Sequence, residues 1–177
     1  MLSFSGLVYA SLAALLWGFV PVYIGYLGDV DPMEIVVHRA LWSGVILLGL
    51  VTLAPSLFGG IRDARAALAT PRMRLGFFVT CILLSVNWIV FVYAVQARQV
   101  FDAALGYFIY PLVTVVIGIW VLHERLDRWG WAAVGIVFCG VALKTFHHGG
   151  VPWIALILAL SFALYGVTRK RMMVNPV

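Results

Sequence analysis

The chain contains six long apolar runs separated by short loops, and this pattern limits its possible folds more than any other feature. Backbone N–H and C=O groups inside hydrocarbon must be hydrogen-bonded within the protein, so only helices and closed barrels cross a membrane. Runs near 20 residues match spanning helices and are too long for barrel strands. We therefore predict an all-α, polytopic membrane helix bundle with helices at 6–27, 34–54, 75–96, 102–122, 129–146 and 151–168.

Composition supports the same class. Hydrophobic residues make up 64% of the 177 residues and charged residues only 11%, which excludes an ordinary soluble domain and makes the lipid bilayer the first expected partner. The net charge of +5 does not indicate a nucleic-acid partner, because the basic residues lie in the loops between apolar runs. Cys81 and Cys139 each lie inside an apolar run, and we interpret them as small packing residues.

The distribution of Lys and Arg predicts the orientation in the membrane. Only Arg98 and Lys144 lie on one side of the predicted helices. Cytoplasmic loops carry the excess of basic residues, so the richer side and the N-terminus are expected in the cytoplasm. The loop before the third helix also predicts a short interfacial helix at 61–69. The basic residues of the richer side are Arg62, Arg65, Arg72, Arg74, Arg125, Arg128, Arg169, Lys170 and Arg171.

Ionisable residues at the start of the second run are candidates for function. The uncharged stretch 40–54 is too short to cross a bilayer, so His38 and Arg39 lie at or inside the membrane boundary. Arg39 either faces the interior and holds an anionic group of a substrate, or reaches the surface or pairs with Glu34. Glu34, His38 and Trp42 share a helix face at four-residue spacing, which suits either a proton relay for coupling or an interfacial histidine.

A weak internal repeat links the first and last helices. Trp17-Gly18 aligns with Tyr165-Gly166, and the predicted topology runs these two helices in opposite directions. Such a relation is typical of the inverted repeats of secondary transporters. We predict one five-helix repeat at 1–148, with 149–177 holding the sixth helix and a basic cytoplasmic tail as the start of a second repeat.

Several short stretches resemble one family, the EamA-type members of the drug/metabolite transporter superfamily, and within it the RarD subgroup. The resemblance covers the N-terminal half of such proteins and departs from the subgroup at Gly25 and Tyr110, where Lys and Asn are usual. The stretches are Leu16-Trp17-Gly18 with Pro21 and Tyr23, Glu34-Ile35 with His38-Arg39 and Trp42-Ser43, Asn87-Trp88 with Tyr93-Ala94-Val95, the sequence Ala104-Leu105-Gly106-Tyr107-Phe108-Ile109-Tyr110-Pro111-Leu112, and Glu124-Arg125-Leu126.

The resemblance implies a secondary transporter that moves small metabolites or drug-like solutes across the plasma membrane, in bacteria the inner membrane, by alternating access. Family members resemble one another in having ten helices in two inverted repeats around a central cavity, so about four helices would be missing here. We expect a truncated chain, completed by a homodimer or by a missing C-terminal half. The alternative is a non-transporting membrane scaffold or accessory subunit.

Polar and aromatic residues inside the runs predict a substrate pocket. Asn87 and Tyr107 bring hydrogen-bonding groups to the interior, and Trp17 lies deeper than an interfacial aromatic belt requires. Pro111 interrupts the backbone ladder of the fourth helix, and the freed carbonyl either joins a site or only marks a kink. The full candidate set is Trp17, His38, Arg39, Asn87, Trp88, Tyr107, Tyr110 and Pro111, with His38 and Glu34 as coupling residues.

The sequence does not indicate an enzyme. No P-loop, nucleophile elbow, pair of carboxylates or metal-spaced set of His and Cys stands in the predicted helices. We therefore expect neither a cofactor nor a metal. Ala155, Ala159 and Ala163 are spaced at four residues and predict a face for close helix packing.

Overall fold

A computed structural model describes residues 4–54, 61, 65, 68–122, 127–148 and 151–172. All regular secondary structure within these ranges is helical, which confirms the predicted all-α bundle. Its long helices lie close to the predicted positions. They are α1 (Phe4–Tyr26), α2 (Pro32–Leu53), α3 (Pro71–Gln96), α4 (Val100–Leu122), α5 (Arg128–His148) and α6 (Trp153–Met172).

Five helices are long and apolar enough to cross a membrane by length and composition: the apolar stretches Gly6–Tyr26, Pro32–Leu53, Pro71–Gln96, Val100–Trp120 and Trp153–Met172. The apolar part of α5, Arg128–Leu143, is shorter. The predicted interfacial helix at 61–69 lies mostly outside the described residues. Of its members, Ile61 and Arg65 are helical and exposed.

Capping residues start two helices earlier than hydropathy alone predicts. Asp31 caps α2 by accepting a hydrogen bond from the Met33 backbone N–H at 2.7 Å, and Pro32 occupies the first turn. Thr70 caps α3 in the same way, with Pro71 following it. A capping oxygen followed by proline strongly favours the start of a helix. The N–H that proline lacks would have no acceptor within the helix at this position, so its loss costs nothing.

The turn from α3 to α4 is tight because Arg98 adopts a left-handed conformation with φ 58°. Gln99 donates its backbone N–H to the Ala94 carbonyl at 2.7 Å, and Arg98 donates to Val95 at 3.1 Å. These two bonds form a Schellman motif, which pairs carbonyls that the helix end leaves open. The chain therefore reverses within residues 97–99, and the first turn of α4 lies beside the last turn of α3.

Helix α6 lies at the centre of the packing, with its most extensive contacts to α4 and α3. Ala155, Ala159 and Ala163 are fully buried, which confirms the predicted small-residue face. Gly106 of α4 meets this face: a methyl group on it would lie 2.9 Å from Leu158 Cβ and 3.0 Å from the Ala155 carbonyl oxygen. Small residues permit this approach of two backbones, which is a main source of helix association in lipid.

Helices α1 and α2 lie at the periphery and pack mainly against α3, while α5 packs against α4. Ile24 of α1 and Val36 of α2 join the buried cluster around Phe91, Val92 and Ala103. Most other side chains of α1 and α2 are exposed. The well-packed unit is therefore α3, α4 and α6, and α1 and α2 complete the walls of cavities on one side of it.

We expect Gly106→Ala to destabilise the protein by about 1–3 kcal/mol, because the new methyl group meets the α6 backbone, which cannot move aside cheaply. Thermal unfolding of the purified protein in detergent measures this. Gly135→Ala in α5 is the matched control, since nothing lies within 4 Å of its added methyl group. Loss of glycine there should stabilise the helix by about 0.5–1 kcal/mol. An unchanged or raised melting temperature for Gly106→Ala would contradict the close packing.

Candidate functional site

Trp88 of α3 forms a wall between two cavities. The first, here called the charged cavity, has a volume of about 470 Å³ and lies among α1, α2 and α3. The second, here called the aromatic cavity, has a volume of about 550 Å³ and lies among α1, α3, α4 and α6. The charged cavity contains Glu34, His38, Arg39 and Trp42, whereas the aromatic cavity contains Trp17, Asn87, Phe91, Tyr107 and Phe162.

A continuous series of rings lines the aromatic cavity. The ring centroids of Trp17 and Trp88 are 5.7 Å apart, and Phe91 follows at 5.6 Å from Trp88. Phe91 meets Tyr107 edge-on at 6.1 Å, and Tyr107 meets Phe162 edge-on at 6.5 Å. Offset and edge-to-face pairs at such distances are favourable, so the rings hold one another in place. The result is a cavity with a preformed apolar lining drawn from four helices.

Two prolines remove backbone N–H donors from the helices that form this lining. Pro111 lacks the N–H that would bond to the carbonyl of Tyr107, and Pro21 of α1 likewise lacks the N–H that would bond to Trp17. Both freed carbonyls therefore belong to aromatic residues that line the cavity. Pro111 itself lines neither cavity.

Arg39 lies over the ring of Trp88 and does not pair with an acid. Its guanidinium carbon is 3.4 Å from the centroid of the Trp88 ring. Glu34 lies 3.9 Å from the imidazole of His38, and among the described residues no carboxylate lies within 4.0 Å of Arg39. Of the alternatives open in the sequence, the Glu34–Arg39 ion pair is therefore absent from this structure. The cation is instead held against an indole face, an arrangement that guanidinium favours.

His38 and Glu34 share a face as their spacing predicts, and both side chains are well exposed, at 65% and 61%. Trp42 lines the same cavity. The geometry places an acid and an imidazole beside Arg39 at one cavity. Their role in coupling stays a prediction.

Asn87 connects two helices as well as lining the aromatic cavity. It is 2% exposed, and its amide nitrogen donates to the Leu158 carbonyl at 3.0 Å and to the Ser161 hydroxyl at 2.9 Å. The Ser161 hydroxyl in turn donates to the Ile157 carbonyl at 2.6 Å. The amide donors of Asn87 are thus used to hold α3 against α6.

Tyr110 lies outside both cavities. Its ring meets Phe162 edge-on at 5.0 Å, and its carbonyl accepts a hydrogen bond from Thr114 at 2.9 Å. Tyr110 thus supports Phe162, which does line the aromatic cavity. Its predicted contact with substrate stays a prediction.

Sequence reasoning missed three residues of the site. Phe91 and Phe162 are ordinary apolar residues in the sequence, and only the packing brings them to the cavity. Gln96, at the end of α3, donates to the carbonyls of Leu27 at 3.0 Å and Val30 at 2.7 Å. These carbonyls belong to the α1–α2 loop, and both residues line the charged cavity. The signal in the sequence that could have identified Gln96 is its position as an amide at the end of an apolar helix.

Among the described residues, no group of three or more His, Cys, Asp or Glu side chains is arranged to hold a metal ion.

The model of the EamA-like transporter family matches residues 4–146. A protein named RarD from Streptomyces exfoliatus is 41% identical over 169 residues, which cover 95% of this chain and 52% of that protein. Escherichia coli strain K12 RarD is 36% identical over 170 residues, covering 96% of this chain and 56% of that protein.

An uncharacterized transporter of Vibrio cholerae is also similar, at 37% identity over 170 residues, covering 96% of this chain and 55% of the relative. The chain thus spans about half the length of the curated relatives it matches. No solved structure matches it significantly.

The Asn87 bridge can be measured by a double-mutant cycle. We expect Asn87→Ala to destabilise the protein by about 1–3 kcal/mol, because it removes two hydrogen bonds from a buried site. Ser161→Ala removes one of them, and the coupling between the two substitutions should be about 0.6–1.7 kcal/mol. Denaturant unfolding in detergent gives these values. Thr114→Ala is the control, since Thr114 bonds only within its own helix, and additive effects at Asn87 and Ser161 would refute the bridge.

Proposed function

The chain belongs to the EamA-like transporter family, and we propose that it acts as a secondary carrier that moves a small metabolite or drug-like solute by alternating access. The observation that carries this proposal is the aromatic cavity. Its volume of about 550 Å³ lies within the range of small-molecule sites, about 300–1,000 Å³, and its lining is apolar with a few polar groups. That combination suits a solute with a substantial apolar body.

In this proposal the rings of Trp17, Trp88 and Tyr107 hold the solute. These rings come from α1, α3 and α4, so a movement of one of these helices relative to the others changes the shape of the cavity. The carbonyls of Trp17 and Tyr107, whose usual i+4 donors are replaced by Pro21 and Pro111, would supply acceptors for a solute N–H or O–H group. Asn87 holds α6 in register and keeps Phe162 at the cavity.

The charged cavity supplies the residues for coupling. His38 lies beside Glu34, and a histidine exchanges protons near neutral pH, so proton-coupled transport would use this pair. Trp88 lines both cavities, which gives a direct physical route by which a charge change on α2 alters the aromatic cavity. Exchange of one solute for another is the other mode that this arrangement supports.

A partner is part of the proposal. The curated relatives are nearly twice as long as this chain, so the carrier would be completed by a second copy or by a C-terminal half. Large apolar residues of α1 and α2, among them Leu16 at 70%, Phe19 at 67% and Leu48 at 62%, are exposed in the single chain. These faces provide the surface for lipid and for such a partner.

We place the protein in the bacterial inner membrane as a multi-pass protein with its N-terminus in the cytoplasm. The excess of Lys and Arg in the connections after α2 and α4 and at the end of α6 supports this orientation. The Asp29 and Asp31 loop then faces outward, and the charged cavity, which this loop borders, opens near the outer surface.

Transport can be tested with the purified chain in lipid vesicles, loaded with a library of small solutes and analysed by mass spectrometry. We expect at least one solute to equilibrate across the membrane, and Trp17→Ala to slow it about tenfold through loss of ring contact. Trp120→Ala is the matched control, because Trp120 is 80% exposed near the far end of α4 and lines neither cavity. Binding without translocation would instead favour the scaffold or accessory subunit.

Orientation can be tested by cysteine labelling in intact cells, in a background of Cys81→Ala and Cys139→Ala. A membrane-impermeant maleimide should label Asp29→Cys from outside, whereas Arg128→Cys should react only after the membrane is opened. Both positions are exposed in the folded chain, so access to the reagent depends on the side of the membrane. The reverse labelling pattern would overturn the proposed topology.

A further inference from the structure

The charged cavity holds a cation without an acid partner, in walls that are otherwise largely apolar. Arg39 has no carboxylate within 4.0 Å among the described residues, although Glu34 lines the same cavity. We propose that this cavity binds a compact organic anion, with Arg39 holding its carboxylate or similar oxyanion and the apolar walls holding its body. As a step in transport, this site rests on the proposed carrier function, but its occupancy can be measured on the resting protein.

The contact with Trp88 leaves the hydrogen-bond donors of Arg39 able to bind an oxyanion. The guanidinium carbon lies over the indole, 3.4 Å from the Trp88 centroid, a distance that suits stacking of the two planar groups. The N–H groups of guanidinium point outward in its own plane, so this contact leaves them available at the edge. A carboxylate can accept two parallel bonds from that edge, which a lysine ammonium does not offer. The indole thus positions the cation and takes none of its hydrogen-bond donors.

An anion would supply the counter-charge that Arg39 lacks in this structure. Even the mild insertion scales give a cost of about 2.5–3.5 kcal/mol for an arginine at the centre of a spanning helix, so a cation near the membrane boundary gains from a partner. Arg39 has only the indole of Trp88 against it and no carboxylate within 4.0 Å among the described residues. A bound carboxylate at this position would therefore pair with a cation that has no adjacent counter-charge.

The remaining walls set the nature of the anion's body. They consist of aliphatic residues and the rings of Tyr23, Trp42 and Trp88. A volume of about 470 Å³ is sufficient for a small ring compound. The aliphatic wall residues are Val20, Ile24, Leu27, Val30, Ile35 and Val36.

Gln96 makes the cavity a preformed one. Its amide nitrogen bonds to the carbonyls of Leu27 and Val30, and thereby holds the loop that closes one end. A loop fixed before binding costs less ordering when a ligand arrives. The site is therefore built from a held cation, a rigid aromatic backing and a fixed loop.

The experiment uses benzoate as the probe, with benzyl alcohol as its uncharged counterpart of similar size. Equilibrium dialysis of the purified chain with each radiolabelled compound at pH 7 gives the two affinities. We expect benzoate to bind at least about tenfold more tightly, since hydrogen bonds to charged groups are the stronger ones. Equal affinity for the two compounds, or no saturable binding of benzoate, would overturn the proposal without any variant being made.

Variants then assign the binding to Arg39. Arg39→Gln should weaken benzoate binding about ten- to a hundredfold and leave benzyl alcohol unchanged, while Arg39→Lys should recover only part of the loss. Arg72→Gln in the first turn of α3 is the matched control, because it removes the same charge at an exposed position outside both cavities and should leave benzoate binding intact. Glu34→Gln removes a negative charge from the charged cavity and should leave benzoate binding equal or tighter. Weaker benzoate binding in Glu34→Gln would overturn the anion assignment.

The outcome is separable from that of the carrier proposal. If benzoate binds through Arg39 but no solute crosses vesicle membranes, the anion site stands and the carrier proposal fails. The opposite result has three parts: solutes cross the vesicle membrane, Trp17→Ala slows their transport while Arg39→Gln does not, and benzoate does not bind. In that case the anion site fails and the carrier proposal stands.

Discussion

The backbones of α4 and α6 approach so closely at Gly106 that a single methyl group there would lie 3.0 Å from the Ala155 carbonyl oxygen. Lipid tails offer helices no hydrophobic reason to associate, so such close packing and the hydrogen bonds between helices must hold the bundle together. The Asn87 amide adds the second element by bonding α3 to α6. Together these contacts set the position of Phe162, Tyr107 and Trp88, and hence the shape of the aromatic cavity.

Trp88 connects this packed unit to the chemistry of α2. On one side its ring belongs to the aromatic series that runs to Phe162, and on the other it carries the Arg39 guanidinium. The two cavities therefore differ in charge and share a wall. An anion bound at the edge of the Arg39 guanidinium would therefore lie beside the same indole that lines the aromatic cavity. Solute recognition in one cavity and charge in the other are thus physically linked in the proposed carrier.

The sixth helix has a particular place in this arrangement. The sequence predicts that residues 149–177 begin a second repeat, and that division stays a prediction. In the structure α6 packs more extensively against α3 and α4 than any other pair of helices do. It is part of the core of the bundle and supplies Phe162 to the aromatic cavity.

The sequence by itself determined the helical membrane class, the approximate positions of the helices, the small-residue face of α6 and the resemblance to the family, because hydropathy, spacing and short motifs are local properties. It also brought together Trp17, Asn87, Trp88 and Tyr107 as candidates, and these do line one cavity. Only the tertiary structure decided what each one contacts. Arg39 can reach either Glu34 or a neighbouring helix, and its contact with Trp88 depends on how α2 packs against α3. Asn87 meets residues more than 70 positions away, and Phe91 and Phe162 gain their roles from the same long-range packing, which no local pattern encodes.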